Sequence, residues 1–300
     1  MSYLSVSNLH HLYYETLGEP SNTPILFLHG GPGAGFSEDE KEFFDPEKHY
    51  VIFFDQRGAG RSKPFGSIKE NTTDHLVEDI NTILDYFQLE TVWLFGGSWG
   101  STLALVYAIR YPQRVRGLIL RGIFLGNQAG IDHFVGGGAA PFYPEYWKRF
   151  ISHVPAAERE RLVAFYLEKM LDKDDETRRH FAYEWAFYEM AIYKQNLTET
   201  EITVLVEGLP FESLGIMEAY YSANRCFLPD NYILDHCAVI KDLPIAIVQG
   251  RQDMICPPQF AYQLYQRLNN ATLTFTNAGH AAGETETKAA LIDALILVKK

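Results

Sequence analysis

Cysteine is scarce in this 300-residue chain. The three present, Cys226, Cys237 and Cys256, are an odd number without C-x-x-C spacing. That argues against a disulfide framework or a zinc site and points to a reducing compartment. Long apolar runs are missing too, since nothing approaches the roughly 20 residues that cross a bilayer. The start, Met1 to Glu15, has no basic stretch leading into an apolar one, so the expectation is a cytoplasmic protein with no membrane contact. Positive charge is in short supply: 26 Lys and Arg stand against 38 Asp and Glu, a net −12. Such a chain repels phosphate backbones, which argues against nucleic acid as a partner. What remains is a globular composition, 47% hydrophobic and 21% charged, long enough to bury roughly three quarters of its unfolded surface.

Short apolar runs rich in β-branched and aromatic residues recur at Ile25–Leu28, Tyr50–Phe54, Thr91–Phe95, Val115–Leu120 and Ile245–Val248. Between them lie helical patterns, Asp74–Leu89 with apolar Leu76, Ile80, Ile83, Leu84 and Phe87, and Pro257–Leu268 with Phe260, Leu264 and Leu268. This alternation predicts an α/β fold with a mostly parallel central sheet and helices on both faces. The stretch 125–235 breaks the pattern. It has helix-like segments at Ala156–Met170 and Thr177–Tyr193, 19 of the 42 aromatics, and 18 acidic against 10 basic residues. The expected organisation is therefore a core of residues 1–124 and 236–300 with a helical cap, 125–235, inserted over it.

Active sites of such sheets form at the carboxyl ends of the strands. There, Gly96-Gly97-Ser98-Trp99-Gly100 follows an apolar run and precedes a helical one, Leu103–Ile109. This is the G-x-S-x-G pattern in the context it requires, with Ser98 the candidate nucleophile on a tight turn. A serine hydroxyl needs a base and the base an orienting acid, in the chain order Ser, acid, His. Asp253 follows the run Ile245–Val248, and His280 follows Leu273–Thr276. The competing readings are a loop-capping Asp253 and a structural His280. His29-Gly30-Gly31-Pro32-Gly33 follows the first core strand, so the Gly31 and Trp99 N–H groups are the candidate oxyanion hole. His29 reads as structural. A dinucleotide loop at Gly31-Pro32-Gly33 lacks its third glycine, which is Phe36, and Gly58-Ala59-Gly60-Arg61-Ser62 lacks the lysine of a phosphate loop. No cofactor or metal is expected.

With Asp55-Gln56-Arg57-Gly58-Ala59-Gly60-Arg61-Ser62, Arg121-Gly122-Ile123-Phe124 and Asp253-Met254-Ile255-Cys256-Pro257, these motifs resemble the prolyl aminopeptidases (proline iminopeptidases) of the α/β-hydrolase fold, over nearly the whole chain. The resemblance implies metal-free release of N-terminal proline from small peptides. It also implies Ser98, Asp253 and His280 as the triad, with Phe124 and Cys256 as walls of a pocket for the pyrrolidine ring. Trp185-Ala186-Phe187-Tyr188-Glu189 resembles the family's W-x-x-W-E segment, with Tyr188 in place of the second Trp, and makes Glu189 a partner of the substrate amine. Glu218, ahead of Asn224-Arg225-Cys226-Phe227, resembles a second such glutamate, although Tyr220 and Ser222 depart from the pattern. On a helix, Trp185 and Glu189 share a face and would line one pocket. The residues leave open a capped esterase or amidase and, from another class, a noncatalytic binding protein on the same scaffold. Ser98 argues against an epoxide hydrolase or dehalogenase, which place a carboxylate at that turn.

Overall fold

The computed structural model describes residues 2–299. Its centre is a stack of strands that are apolar on both faces. β1 (Ser2–Ser5), β2 (His11–Leu17), β3 (Thr23–Leu28), β4 (His49–Phe54), β5 (Val92–Gly97), β6 (Val115–Arg121), β7 (Ile245–Gly250) and β8 (Ala271–Thr276) form one eight-stranded sheet. The order is β1-β2-β4-β3-β5-β6-β7-β8. From β4 to β8 every pairing is parallel, while β1 and β2 add antiparallel at one edge.

Strands β3 and β4 are buried at every residue, as a parallel sheet covered on both sides requires. Alternate side chains feed two cores. Leu26, Leu28, Ile52 and Leu94 face α1 (Thr73–Tyr86) and α2 (Trp99–Arg110), whereas Ile25, Phe27, Phe53 and Phe95 face a 3-10 turn at Glu38–Phe43 and the last helix. Helix α1 starts where Thr72 accepts the His75 N–H, and its buried Leu76, Val77, Ile80, Ile83 and Leu84 fall on one stripe.

Between β6 and β7 the described elements are all helical: α3 (Gln128–Val135), α4 (Pro144–Ser152), α5 (Leu162–Met170), α6 (Asp175–Tyr193), α7 (Glu199–Glu207), α8 (Phe211–Ala223) and α9 (Tyr232–His236), with short 3-10 turns. Two helices close the chain, α10 (Pro258–Tyr265) and α11 (Thr285–Ala294). The expected Ala156–Met170 segment is split, a 3-10 turn to Arg161 and then α5. The aromatics of 125–235 explain how so many helices share one core. Phe150 stacks on Tyr166 and Tyr188 at 4.5 and 4.6 Å, and Trp185 meets Phe150 edge-on at 5.6 Å. These rings join the sheet's apolar face in a single continuous cluster. Among the described residues, no helix is long and apolar enough to cross a membrane.

Candidate active site

Ser98 lies between β5 and α2 with φ 55° and ψ −125°, a backbone region L-residues rarely occupy and one that persists only where the surroundings enforce it. A Cβ at Gly100 would lie 2.0 Å from the Leu28 carbonyl, and one at Gly96 would lie 2.3 Å from the Gly100 carbonyl. Glycine is required at both places for helix and strands to pack so tightly. The Ser98 N–H donates to the Arg121 carbonyl at 2.9 Å, and the Ser101 hydroxyl holds the Ser98 carbonyl at 2.7 Å.

His280 and Asp253, 27 positions apart in sequence, meet at 2.8 Å through Nδ1 and Oδ2. The Asp253 carboxylate also accepts the Ile255 and Cys256 N–H groups at 3.0 and 2.8 Å and the Gln249 amide at 3.1 Å. These contacts aim the carboxyl at the imidazole. Burial lowers the His280 pKa, against the pull of Asp253 and with the Arg121 charge, so the ring is neutral at pH 7. With Nδ1–H donated to Asp253, the lone pair lies on Nε2. Among the described residues no hydrogen bond joins Ser98 to His280. Nε2 instead faces Arg121 Nη1 at 3.1 Å, and the Ser98 hydroxyl rests against the Cys256 thiol. Burial pushes that thiol well up, leaving it protonated and a poor nucleophile.

Gly31 and Trp99 line the same chamber as Ser98. Among the described residues neither backbone N–H has an acceptor. The Trp99 N–H opens α2, where the helix dipole favours negative charge. His29 ties this corner together: its Nε2 accepts the Gln56 N–H at 2.9 Å, and Gln56 in turn accepts the Trp99 indole N–H at 2.9 Å.

Two chambers meet at Ser98. One, about 30 Å³, is walled by Phe124, Phe134, Tyr221, Ile255 and Cys256 and ends at Glu218. The other, about 340 Å³, opens past His280, Arg121 and Glu189. Glu189 and Glu218 are 6% and 5% exposed, hydrogen-bond to each other, and pair with no Lys or Arg among the described residues. Burial pushes Glu189 up to about 7; burial and the neighbouring Glu189 charge push Glu218 well above the carboxylate range. Glu189 Oε2 has no hydrogen-bond partner at all. A buried pair of this kind lacks a cation.

Trp185 departs from the expected placement. Its ring is packed among Phe134, Phe150 and Tyr166 and lines neither chamber, while its indole N–H donates to Glu218 Oε2 at 2.7 Å. The helical spacing does put Trp185 and Glu189 on one side of α6, but an indole is long enough to reach back into the aromatic core. Phe134, Tyr221 and Arg121 line these chambers and carry no mark as site residues in the sequence. The richness of 125–235 in aromatics signals the kind of the first two without giving positions, and nothing of that sort points to Arg121.

The α/beta hydrolase fold model matches residues 23–287. A probable proline iminopeptidase of Leptolyngbya boryana is 38% identical over 97% of this chain and 91% of its own length. The proline iminopeptidase of Arabidopsis thaliana is 40% identical over 96% of this chain and 77% of its own length. The chain belongs to the proline iminopeptidase family of α/β hydrolases. Solved structures agree on the fold. The crystal structure of proline iminopeptidase from Mycobacterium smegmatis has a TM-score of 0.67 at 16% identity, covering 99% of this chain and 97% of that one. An alpha/beta hydrolase enzyme from a Medee basin deep-sea metagenome has a TM-score of 0.69 at 19% identity, covering 100% and 98%. As a member of this family, the protein is a hydrolase.

Proposed function

We propose that the protein is a cytoplasmic serine exopeptidase that releases N-terminal proline from peptides, with 125–235 acting as a cap domain over the 1–124 and 236–300 core. The observation that carries this reading is the pair of buried, cation-free carboxyls, Glu189 and Glu218, beside a small apolar chamber that opens on Ser98. A secondary ammonium supplies the missing charge, and the ring attached to it enters between Phe124 and Cys256, whose side chains spread to admit it into the narrow chamber. Charge-assisted hydrogen bonds in so dry a place discriminate strongly against an acylated nitrogen.

In this mechanism the Ser98 hydroxyl turns from Cys256 toward His280 Nε2 and attacks the prolyl carbonyl. His280 takes its proton and hands it to the leaving amine, while Asp253 stabilises the imidazolium. The Gly31 and Trp99 N–H groups receive the oxyanion, each such donor contributing about 3 kcal/mol to the transition state. Water then attacks the prolyl ester, with His280 again as base, and free proline leaves. Three free, buried thiols suit a reducing compartment.

The test compares proline arylamide with its N-acetylated counterpart, using Ser98→Ala to exclude a contaminating peptidase. The free amine alone should be cut, and Ser98→Ala should lose all turnover while keeping its fold. Equal cleavage of both, or cleavage only of a short-chain ester, would remove Glu189 and Glu218 from substrate binding and leave an esterase.

A further inference from the structure

The larger chamber contains a group that the proposed reaction does not use. Arg121 ends β6, is 9% exposed, and lines this chamber between Ser98 and His280. One of its nitrogens, Nη1, donates to the His280 carbonyl at 2.7 Å. Nη2 lies over the Gly97 backbone, 2.5 Å from where a Cβ would be. Nε is buried with no hydrogen-bond partner, and among the described residues no carboxylate forms an ion pair with the guanidinium. A buried cation without a counter-ion is costly and rare. Toward solvent the chamber has an apolar wall of Ala34, Met190, Leu205, Leu209 and Leu214, with Ser37, Asp39 and Glu40 also lining it.

Its position fixes what could approach it. The leaving nitrogen of any peptide cleaved at Ser98 must reach His280 Nε2 to be protonated, and Arg121 Nη1 is 3.1 Å from that atom. In a dipeptide the carboxylate oxygens are three bonds from the leaving nitrogen, so they fall beside the guanidinium, and the second side chain extends along the apolar wall. We infer that Arg121 binds the free carboxylate of the leaving amino acid, making dipeptides of proline followed by an apolar residue the favoured substrates. Bidentate pairing with a carboxylate is the interaction a guanidinium makes best. It would also draw Nη1 away from Nε2 and free the lone pair for Ser98. The acidic groups on the same chamber are compatible. Asp39 is exposed at the rim; burial holds Glu40 up at about 7 against the pull of the Ser37 N–H, 2.9 Å away, and of Arg121, with which it forms no ion pair; and Glu189 faces the substrate amine.

The inference rests on the prolyl-peptidase reading, and the test separates the two. We would measure kcat/KM for Pro-Leu and for Pro-Leu-NH2, which differ only in the carboxylate, in the native enzyme, Arg121→Gln and Arg121→Lys. The native enzyme should prefer Pro-Leu by about tenfold or more, the equivalent of about 1.4 kcal/mol. Arg121→Gln should bring the ratio close to one, and Arg121→Lys should restore part of it. Because Arg121 touches His280, both substrates will slow in Arg121→Gln, but the ratio cancels that common loss. A purely structural arginine predicts the same ratio before and after substitution, and that result overturns the inference, as does a native ratio near one. A check without variants uses inhibition of proline arylamide hydrolysis by leucine and leucinamide, where leucine should be the stronger. If the arylamide and both dipeptides resist cleavage, the prolyl reading itself fails.

Discussion

Glu189 is a residue whose proposed use conflicts with the stability of the fold. Its carboxyl stays protonated up to about 7 in the native state but ionises near 4 in an unfolded chain. The native state therefore binds the extra proton between those pH values. The group's contribution to stability is full below pH 4, declines as pH rises toward 7, and is a net cost above it. Glu189→Gln should accordingly raise stability to urea at pH 8, by on the order of 2 kcal/mol, and leave it nearly unchanged at pH 4. The same variant should lose turnover of free-amine substrates. An equal shift at both pH values would mean that the carboxyl is not titrating as described. At this scale the sequence was most informative where chemistry dictates residue type at a strand end. Ser98, Asp253 and His280 each follow an apolar run, and Asp253 and His280 meet in the structure. Arg121 follows the run Val115–Leu120 in the same way, but an arginine closing a strand reads as an ordinary solvated end, and its partner His280 lies 159 positions away.

Among the elements, the link between β4 and α1 is clamped by a buried ion pair. Arg57, just past β4, donates through Nε and Nη2 to both oxygens of Asp79 on α1, each at 2.7 Å, and the two side chains are 4% and 2% exposed. Burial pushes Asp79 up to about 6 in spite of Arg57, so the pair serves to fix the helix against the loop more than to add net stability. Asp79→Ala strands a buried guanidinium and should destabilise the protein by about 3–5 kcal/mol in urea titration, whereas loss of the exposed Lys48–Asp45 pair should leave the urea midpoint nearly unchanged. Elements buried on both faces were legible from composition alone. The hairpin of β1 and β2 was not. His11–Leu17 carries His, Tyr, Glu and Thr among its apolar residues and is half exposed along its length, so it has neither a continuous apolar run nor a clean alternation. Its pairing with β4 is a tertiary fact.

For the whole molecule, the apolar cluster that fills one face of the sheet runs without a break into the helices of 125–235. Such continuity predicts one cooperative transition. The four tryptophans allow a direct check, since Trp93 and Trp99 belong to the sheet region while Trp147 and Trp185 lie in the helical segment. Single-tryptophan versions from each region should melt together and with the far-ultraviolet signal; a helical segment that melts first would show two separable units. The shared core also brings both parts to the small chamber. Gly31, Ser98 and Cys256 reach it from loops at strand ends, and Phe134, Glu218 and Tyr221 reach it from helices α3 and α8. On the proposed reading, the groups that break the bond and the carboxyls that hold the amine are thus inherited on different stretches of chain, while Phe124 and Cys256 of the core wall the ring. A lineage could relax or tighten its demand for a free amine by rewriting helices alone, keeping an ancestral reaction intact beneath them.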